Sequence, residues 1–322
     1  MEGIRAAVPT VVLLALLVGT TIELCFGVIP TEYGSSTSGI VLQVITLLLF
    51  AMVLGCFLTA AYRSSLTRDV VEQSLGERQP LISDRRAFIT VKRSTGAARW
   101  CSKCNAPKPD RCHHCRQCGA CVLRMDHHCP WVMHRCIGLR NHKAFFLLLV
   151  YGAIYCVYSA VVVGAAVTRA INSGEQAYIS WITLFFISIV LGLVVWPFVG
   201  FHLYLILRNR TTLEYIEGMS HVQRRGNTRF NTLKTLLNEA NSESRFRDHQ
   251  RASVTQDQQY QSCASRHNMY DVGICNNWYQ VMGREWWLWL VPLGGPDSDG
   301  IHYPVDDDAL RKLQGALEGE VA

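Results

Sequence analysis

Charge is what this chain has least of. Only 17% of its 322 residues are Asp, Glu, Lys or Arg, while 49% are hydrophobic, which is too apolar for two ordinary soluble domains. The cations are missing from particular places: no Lys or Arg falls within residues 8–29, 40–62, 144–168 or 178–207. Each of these runs is long enough for a helix across a hydrocarbon core, which takes about 20 residues. The first run lacks an A-x-A-like cleavage site and continues past Glu23 to Ile29, which favours a retained span over a signal peptide. Internal repeats are absent. So is a basic stripe on a soluble domain, and the formal charge of +6 therefore does not point to nucleic acid as a partner.

The cations that are present are placed unevenly. Sixteen of the 31 lie between Arg63 and Lys143, most of the others follow Arg208, and "PTEYGSSTSG" (30–39) has none. The positive-inside rule puts the N-terminus, the 63–143 segment and the C-terminal tail in the cytosol. Eight of the thirteen cysteines fall between Cys101 and Cys136, inside that cytosolic segment. A reducing compartment disfavours disulfides, so metal binding or thiol chemistry is expected. Cys25, Cys56 and Cys156, inside the spans, read as core packing.

The block is dense: Cys101 and Cys104 as C-x2-C, then "CHHC" at 112–115, C-x2-C at 115–118, Cys121, "DHHC" at 126–129, and Cys136. Zinc takes four tetrahedral thiolate or imidazole ligands, and C-x2-C turns present two sulfurs to one ion. Two sites need eight ligands, and the block holds more Cys and His than that. A reactive cysteine must instead keep a free thiolate near a base or cation. If "DHHC" is extended, His127 and Cys129 share one face while Asp126 and His128 share the other. His127 is then in reach of the Cys129 proton, with a carboxylate to orient the ring, and His128 is free for metal.

These motifs resemble the DHHC family of protein S-acyltransferases, and the tail is somewhat similar to fungal vacuolar members. The resemblance extends to "TTLE" (211–214) and to "NMYDVG" followed by Asn277. It implies an α-helical integral membrane protein with four transmembrane helices and a small cytosolic zinc-binding cysteine-rich domain. The implied layout is a hairpin over 1–62, a cytosolic linker 63–98, the zinc domain 99–143, two spans over 144–207, a TTxE segment 208–217, a disordered linker 218–265 and a cytosolic tail 266–322. Within the tail, Trp286, Trp287 and Trp289 suit either the membrane interface, which is favoured, or a packed tail.

Further implications follow position by position. One structural zinc is held by Cys101, Cys104, His114 and Cys121, the other by Cys115, Cys118, His128 and Cys136. Cys129 is the acylated nucleophile, His127 its base and Asp126 the orienting carboxylate. Thr211 and Thr212 pack beside the active site, and Asn277 ties the tail to the membrane domain. Trp131 stands near the entrance of an acyl groove, and Tyr155 limits acyl length. Lys108 and Arg111 are candidates to meet the CoA phosphates. The substrate is palmitoyl-CoA, the acceptors are membrane-associated cytosolic proteins with accessible cysteines, and the bilayer itself is a partner. The setting is the endomembrane system: vacuole, Golgi or endoplasmic reticulum.

One stretch departs from the family. Where it usually has W-V-N-N-C, this chain reads "WVMHRC", so His128 and Cys136 stand one residue further apart. A bulge is expected to absorb the insertion, with His134 as the alternative fourth ligand. Cys112 reads as a bystander and His113 as an outer support of the first site. A membrane zinc scaffold without enzymatic activity, or a membrane ubiquitin ligase, would also carry such a block. Only the acyltransferase needs Cys129 free of metal.

Overall fold

The computed structural model describes residues 2–63, 65–66, 99–217 and 268–318. The linkers expected over 63–98 and 218–265 lie almost entirely outside these. Four helical segments are long and apolar enough to cross a membrane: Ala7–Tyr33, Thr37–Tyr62, His142–Asn172 and Ile179–Leu207. The first is composite, with α1 (Glu2–Ile22) passing through a π-helical turn (Glu23–Val28) into α2 (Ile29–Tyr33). The second is α3 (Thr37–Tyr62), opened by Ser36, whose hydroxyl accepts the Gly39 N–H at 3.1 Å and so satisfies one of the donors a helix start leaves free. The third and fourth are α4 (His142–Asn172) and α5 (Ile179–Leu207).

The interior of the bundle is built from Leu24, Val28, Val53, Tyr155, Val163 and Trp181. Its outside carries exposed Leu47, Leu48, Leu193 and Val194, as expected of helices whose outer faces meet lipid rather than water.

Between α3 and α4 the chain forms three small antiparallel hairpins: β1 (Trp100–Cys101) with β2 (Ala106–Pro107), β3 (His113–Cys115) with β4 (Ala120–Val122), and β5 (His127–Cys129) with β6 (Arg135–Ile137). Such short ladders cannot bury a core of their own, and Asn141 fastens them to the membrane helices. Its amide donates to Ala60 O at 2.9 Å and Cys136 O at 3.0 Å, and its oxygen accepts the Gly138 N–H at 2.8 Å. Gly138 is required there, because a Cβ would stand 2.7 Å from Leu123 O.

After α5 come a short α6 (Thr212–Glu217), then α7 (Ile274–Met282) and α8 (Asp307–Glu318) of the tail. Asn277 donates to Leu207 O at 2.8 Å, joining α7 to the end of α5. Lys143 Nζ donates to Leu288 O at 2.8 Å and Leu293 O at 2.6 Å, which lays the Trp-rich segment against the start of α4. Trp286 and Trp287 face outward, whereas Trp289 packs on Trp278 and donates to Gly283 O at 3.0 Å.

Candidate active site and metal clusters

The first two hairpins gather Cys101, Cys104, His114 and Cys121, and the second and third gather Cys115, Cys118, His128 and Cys136; within each set the ligand atoms lie within 4.8 Å of one another. In the first, His114 Nδ1 is 3.4, 3.3 and 3.9 Å from the sulfurs of Cys101, Cys104 and Cys121. In the second, His128 Nδ1 is 3.5, 3.5 and 3.6 Å from those of Cys115, Cys118 and Cys136, and the Cys118 and Cys136 sulfurs are 3.4 Å apart. Bonds of about 2.3 Å to sulfur and about 2.0 Å to nitrogen at tetrahedral angles give ligand separations of roughly 3.6–3.8 Å. Both sets fit a tetrahedral ion, so each cluster can hold a metal.

Cys136, not His134, completes the second set. No bulge forms: β5 and β6 pair in register with His128 opposite Cys136 and Cys129 opposite Arg135. The inserted residue is taken up in the turn that joins them, where Met133 and His134 are both left-handed, with φ of 47° and 53°. Two ligands that must face one ion leave the ladder no freedom to slip, and the loop yields instead.

Cys129 belongs to neither set. It sits at the end of β5, buried, on the same side as His127, and both line an apolar cavity of about 620 Å³. His127 Nδ1 bonds Asp126 Oδ2 at 2.6 Å, and Cys129 lies near enough to the ring to raise its basicity. The simple alternation of faces fails for Asp126. It precedes the strand, so its carboxylate turns to His127 and not to the side of His128.

Burial alone would raise the Asp126 carboxyl, but the His127 hydrogen bond and surrounding imidazoles reverse this and hold it far below the usual carboxylate range. Burial likewise opposes charging His127, yet its bond to Asp126 and the nearby Cys129 outweigh this and push it up to about 9. His127 is thereby a strong acceptor for the proton of the neighbouring thiol.

The "TTLE" segment supplies two further donors to Asp126. Thr212 N–H reaches Oδ1 at 2.8 Å and its hydroxyl reaches Oδ2 at 2.9 Å. The same four residues form a capping box: Glu214 Oε2 accepts the Thr211 N–H at 3.0 Å, and Thr211 Oγ1 accepts the Glu214 N–H at 3.2 Å, a reciprocal arrangement that starts α6. Asp126, His142 and His202 also lie close enough to share an ion. With its carboxylate already accepting three hydrogen bonds, Asp126 reads instead as the anchor of His127.

The remaining expectations divide. Trp131 and Tyr155 line the same cavity as Cys129. Tyr155 is buried, with its hydroxyl 2.8 Å from that of Thr21 on α1. Lys108, half-buried just after β2, does not line the cavity.

Arg111 requires a correction. It is 1% exposed, and its guanidinium donates to both Glu214 oxygens, at 2.6 and 2.8 Å, and to Asn209 Oδ1 at 2.9 Å. A cation so committed is unavailable to CoA phosphates. Burial would weaken its charge, but Glu214 more than offsets this.

Sequence reasoning missed Asn209, which is buried and left-handed at φ 46°. It accepts from Arg111 and Arg124, each at 2.9 Å, and donates to Tyr270 O at 2.6 Å, joining the cysteine-rich hairpins to the tail. It also missed His142 and His202, which are fully buried around Asp126. No local pattern distinguishes them from helix residues of the core.

Residues 94–219 match the family model described as DHHC palmitoyltransferase. Over those residues the chain is similar to the DHHC family. The DHHC region lies inside longer similarities to curated proteins. Palmitoyltransferase PFA3 of Debaryomyces hansenii is 32% identical over 276 residues, 79% of this chain and 61% of that protein. Palmitoyltransferase ZDHHC15 of Xenopus laevis is 33% identical over 229 residues, 69% of this chain and 54% of that protein. Palmitoyltransferase ZDHHC2 of Rattus norvegicus is 28% identical over 285 residues, 82% and 67% of the two chains. The chain thus spans between about half and two thirds of the length of these relatives.

Proposed function

We propose that this chain is a multi-pass membrane protein S-palmitoyltransferase that carries the acyl group on Cys129. The observation behind this reading is the separation of Cys129 from both four-ligand clusters: it shares with His127 the wall of an apolar cavity between the helices. A cavity of about 620 Å³ is in the range that buries most of a small ligand's surface, and its wall includes Trp131, Tyr155 and Thr20 besides the nucleophile.

In the first step His127 takes the Cys129 proton. The thiolate attacks the acyl-CoA carbonyl, the carbon–sulfur bond to CoA breaks, and His127 returns the proton to the leaving CoA thiolate. In the second step the thiol of an acceptor protein gives its proton to His127 and attacks the Cys129 thioester, and the restored Cys129 thiolate regains a proton. One thioester replaces another at each step, so no further energy source is needed. Asp126, held by Thr212, keeps the His127 proton on Nδ1, leaving Nε2 to face the thiol.

The two clusters would hold structural zinc, whose chemistry is to fold the hairpins around four fixed ligands. The donor is palmitoyl-CoA, the acceptors are membrane-associated cytosolic proteins with accessible cysteines, and the compartment is vacuole, Golgi or endoplasmic reticulum. Burying an acyl chain contributes about 0.8 kcal/mol per CH2, which supports placing the nucleophile where the chain need not leave the bilayer.

The test is acylation of the purified, zinc-loaded protein by an alkyne-tagged palmitoyl-CoA. Hydroxylamine-labile label should appear on the wild type and vanish from Cys129→Ser at equal zinc content. Label that persists on Cys129→Ser would overturn the reading, and a zinc-loaded wild type that never labels would favour a scaffold.

A further inference from the structure

A histidine that binds metal through one ring nitrogen carries its proton on the other, and that N–H is almost always given to an acceptor. His128 turns Nδ1 toward the three sulfurs of its cluster, at 3.5–3.6 Å. Its Nε2 is buried and has no hydrogen-bond partner. The ring packed against it is that of His134, edge to face, with centroids 4.4 Å apart and planes at 84°. His134 Nδ1 is also buried and without a partner. One unsatisfied nitrogen is obliged to donate, and the other is free to accept. Buried polar groups left unpaired cost about 1–3 kcal/mol each, so a hydrogen bond between these two nitrogens would remove two penalties at once.

The backbone holds His134 where it is. Left-handed backbone costs a residue other than glycine roughly 1–2 kcal/mol, yet Met133 and His134 adopt it in succession. The turn is clasped from outside by α1: Thr10 Oγ1 accepts the Met133 N–H at 3.1 Å and donates toward Pro130 O and Trp131 O, both at 3.3 Å. The inserted residue therefore lets the turn reach the first span and swing an imidazole over His128.

We propose that His134 is a positioning residue of the second metal centre, accepting the Nε2–H of His128 and fixing the orientation of that centre's only imidazole. This rests on the reading that the Cys115, Cys118, His128 and Cys136 cluster holds zinc. Losing an outer hydrogen-bond partner of a metal-bound histidine lowers metal affinity by about 10- to 100-fold.

The experiment follows zinc release from the purified full chain into a chromophoric chelator, with total zinc measured beforehand. Two variants are compared with the wild type. His134→Phe keeps a ring but no acceptor. His134→Asn places an oxygen near the Nδ1 position and tolerates left-handed backbone. The expected result is that His134→Phe releases one of two zinc ions about 10- to 100-fold faster while the other leaves at the wild-type rate, and that His134→Asn restores most of the retention. Equal release from His134→Phe and wild type would overturn the proposal. So would a parallel loss of both ions, which reports general unfolding rather than a lost bond. A wild type that holds only one zinc would instead refute the cluster reading itself.

Discussion

The cavity that Cys129 lines is also lined by a tyrosine whose removal has a calculable effect. Tyr155 is buried at the cavity wall, and its hydroxyl meets Thr21 Oγ1 at 2.8 Å. Thr21 spends its own proton on Leu17 O at 2.8 Å, so the phenol is the donor between them. The ring is thereby pinned between α1 and α4, and on the proposed function it would set the depth available to an acyl chain. Tyr155→Ala removes the ring and extends the cavity along α4. Each additional buried CH2 is worth about 0.8 kcal/mol, so two more carbons bring about 1.6 kcal/mol, or roughly a 15-fold change in relative rate. The assay is a competition among acyl-CoAs of 14 to 20 carbons for Cys129, read by intact-protein mass spectrometry. The ratio of 18-carbon to 16-carbon acyl-enzyme should rise about 15-fold in Tyr155→Ala and shift little in Tyr155→Phe, which keeps the ring. An unchanged ratio in a folded, zinc-loaded Tyr155→Ala would refute the argument that this side chain limits length.

Three further outcomes are expected. Thr212→Val removes the hydroxyl bond of 2.9 Å to the buried Asp126. A bond to a charged group is worth about 1.5–3 kcal/mol, so acylation of Cys129 should slow about 10- to 150-fold with zinc content unchanged. Glu214→Gln leaves Arg111 buried without its carboxylate; thermal unfolding should show a loss of about 3–5 kcal/mol. Arg111→Met combined with Glu214→Leu should lose much less than the sum of its single changes. Stripping zinc with a strong chelator should abolish acylation and expose the cluster thiols to alkylation, because structural metal contributes folding energy directly. Cluster thiols that stay protected after complete zinc removal would contradict this.

The helices and the metal clusters were legible because each leaves a local mark. Runs of about 20 apolar residues without Lys or Arg have few fates, and paired C-x2-C turns have fewer. What was not legible depends on distant partners. Arg111 stands in a hydrophilic stretch beside Lys108, and nothing nearby says which cation turns inward. The answer is Glu214, 103 residues away. His142 and His202 meet only when α4 and α5 pack, and a lone histidine on an apolar helix carries no signal of a neighbour. Asn209 takes a left-handed backbone without the glycine that usually announces one. The extra residue in "WVMHRC" could be counted but not located. A bulge would have moved His128 off Cys136, and four fixed ligands make that more costly than reshaping a turn.

The central claim is that Cys129 carries the acyl group between donor and acceptor. The most direct measurement is a single turnover: acylate the zinc-loaded protein, remove all acyl-CoA, then add a membrane-anchored peptide with one cysteine and follow the label by mass spectrometry. Label should leave Cys129 and appear on the peptide thiol in equal amount, with no CoA present. Label that stays on Cys129, or that reaches the peptide only when acyl-CoA is restored, would contradict it.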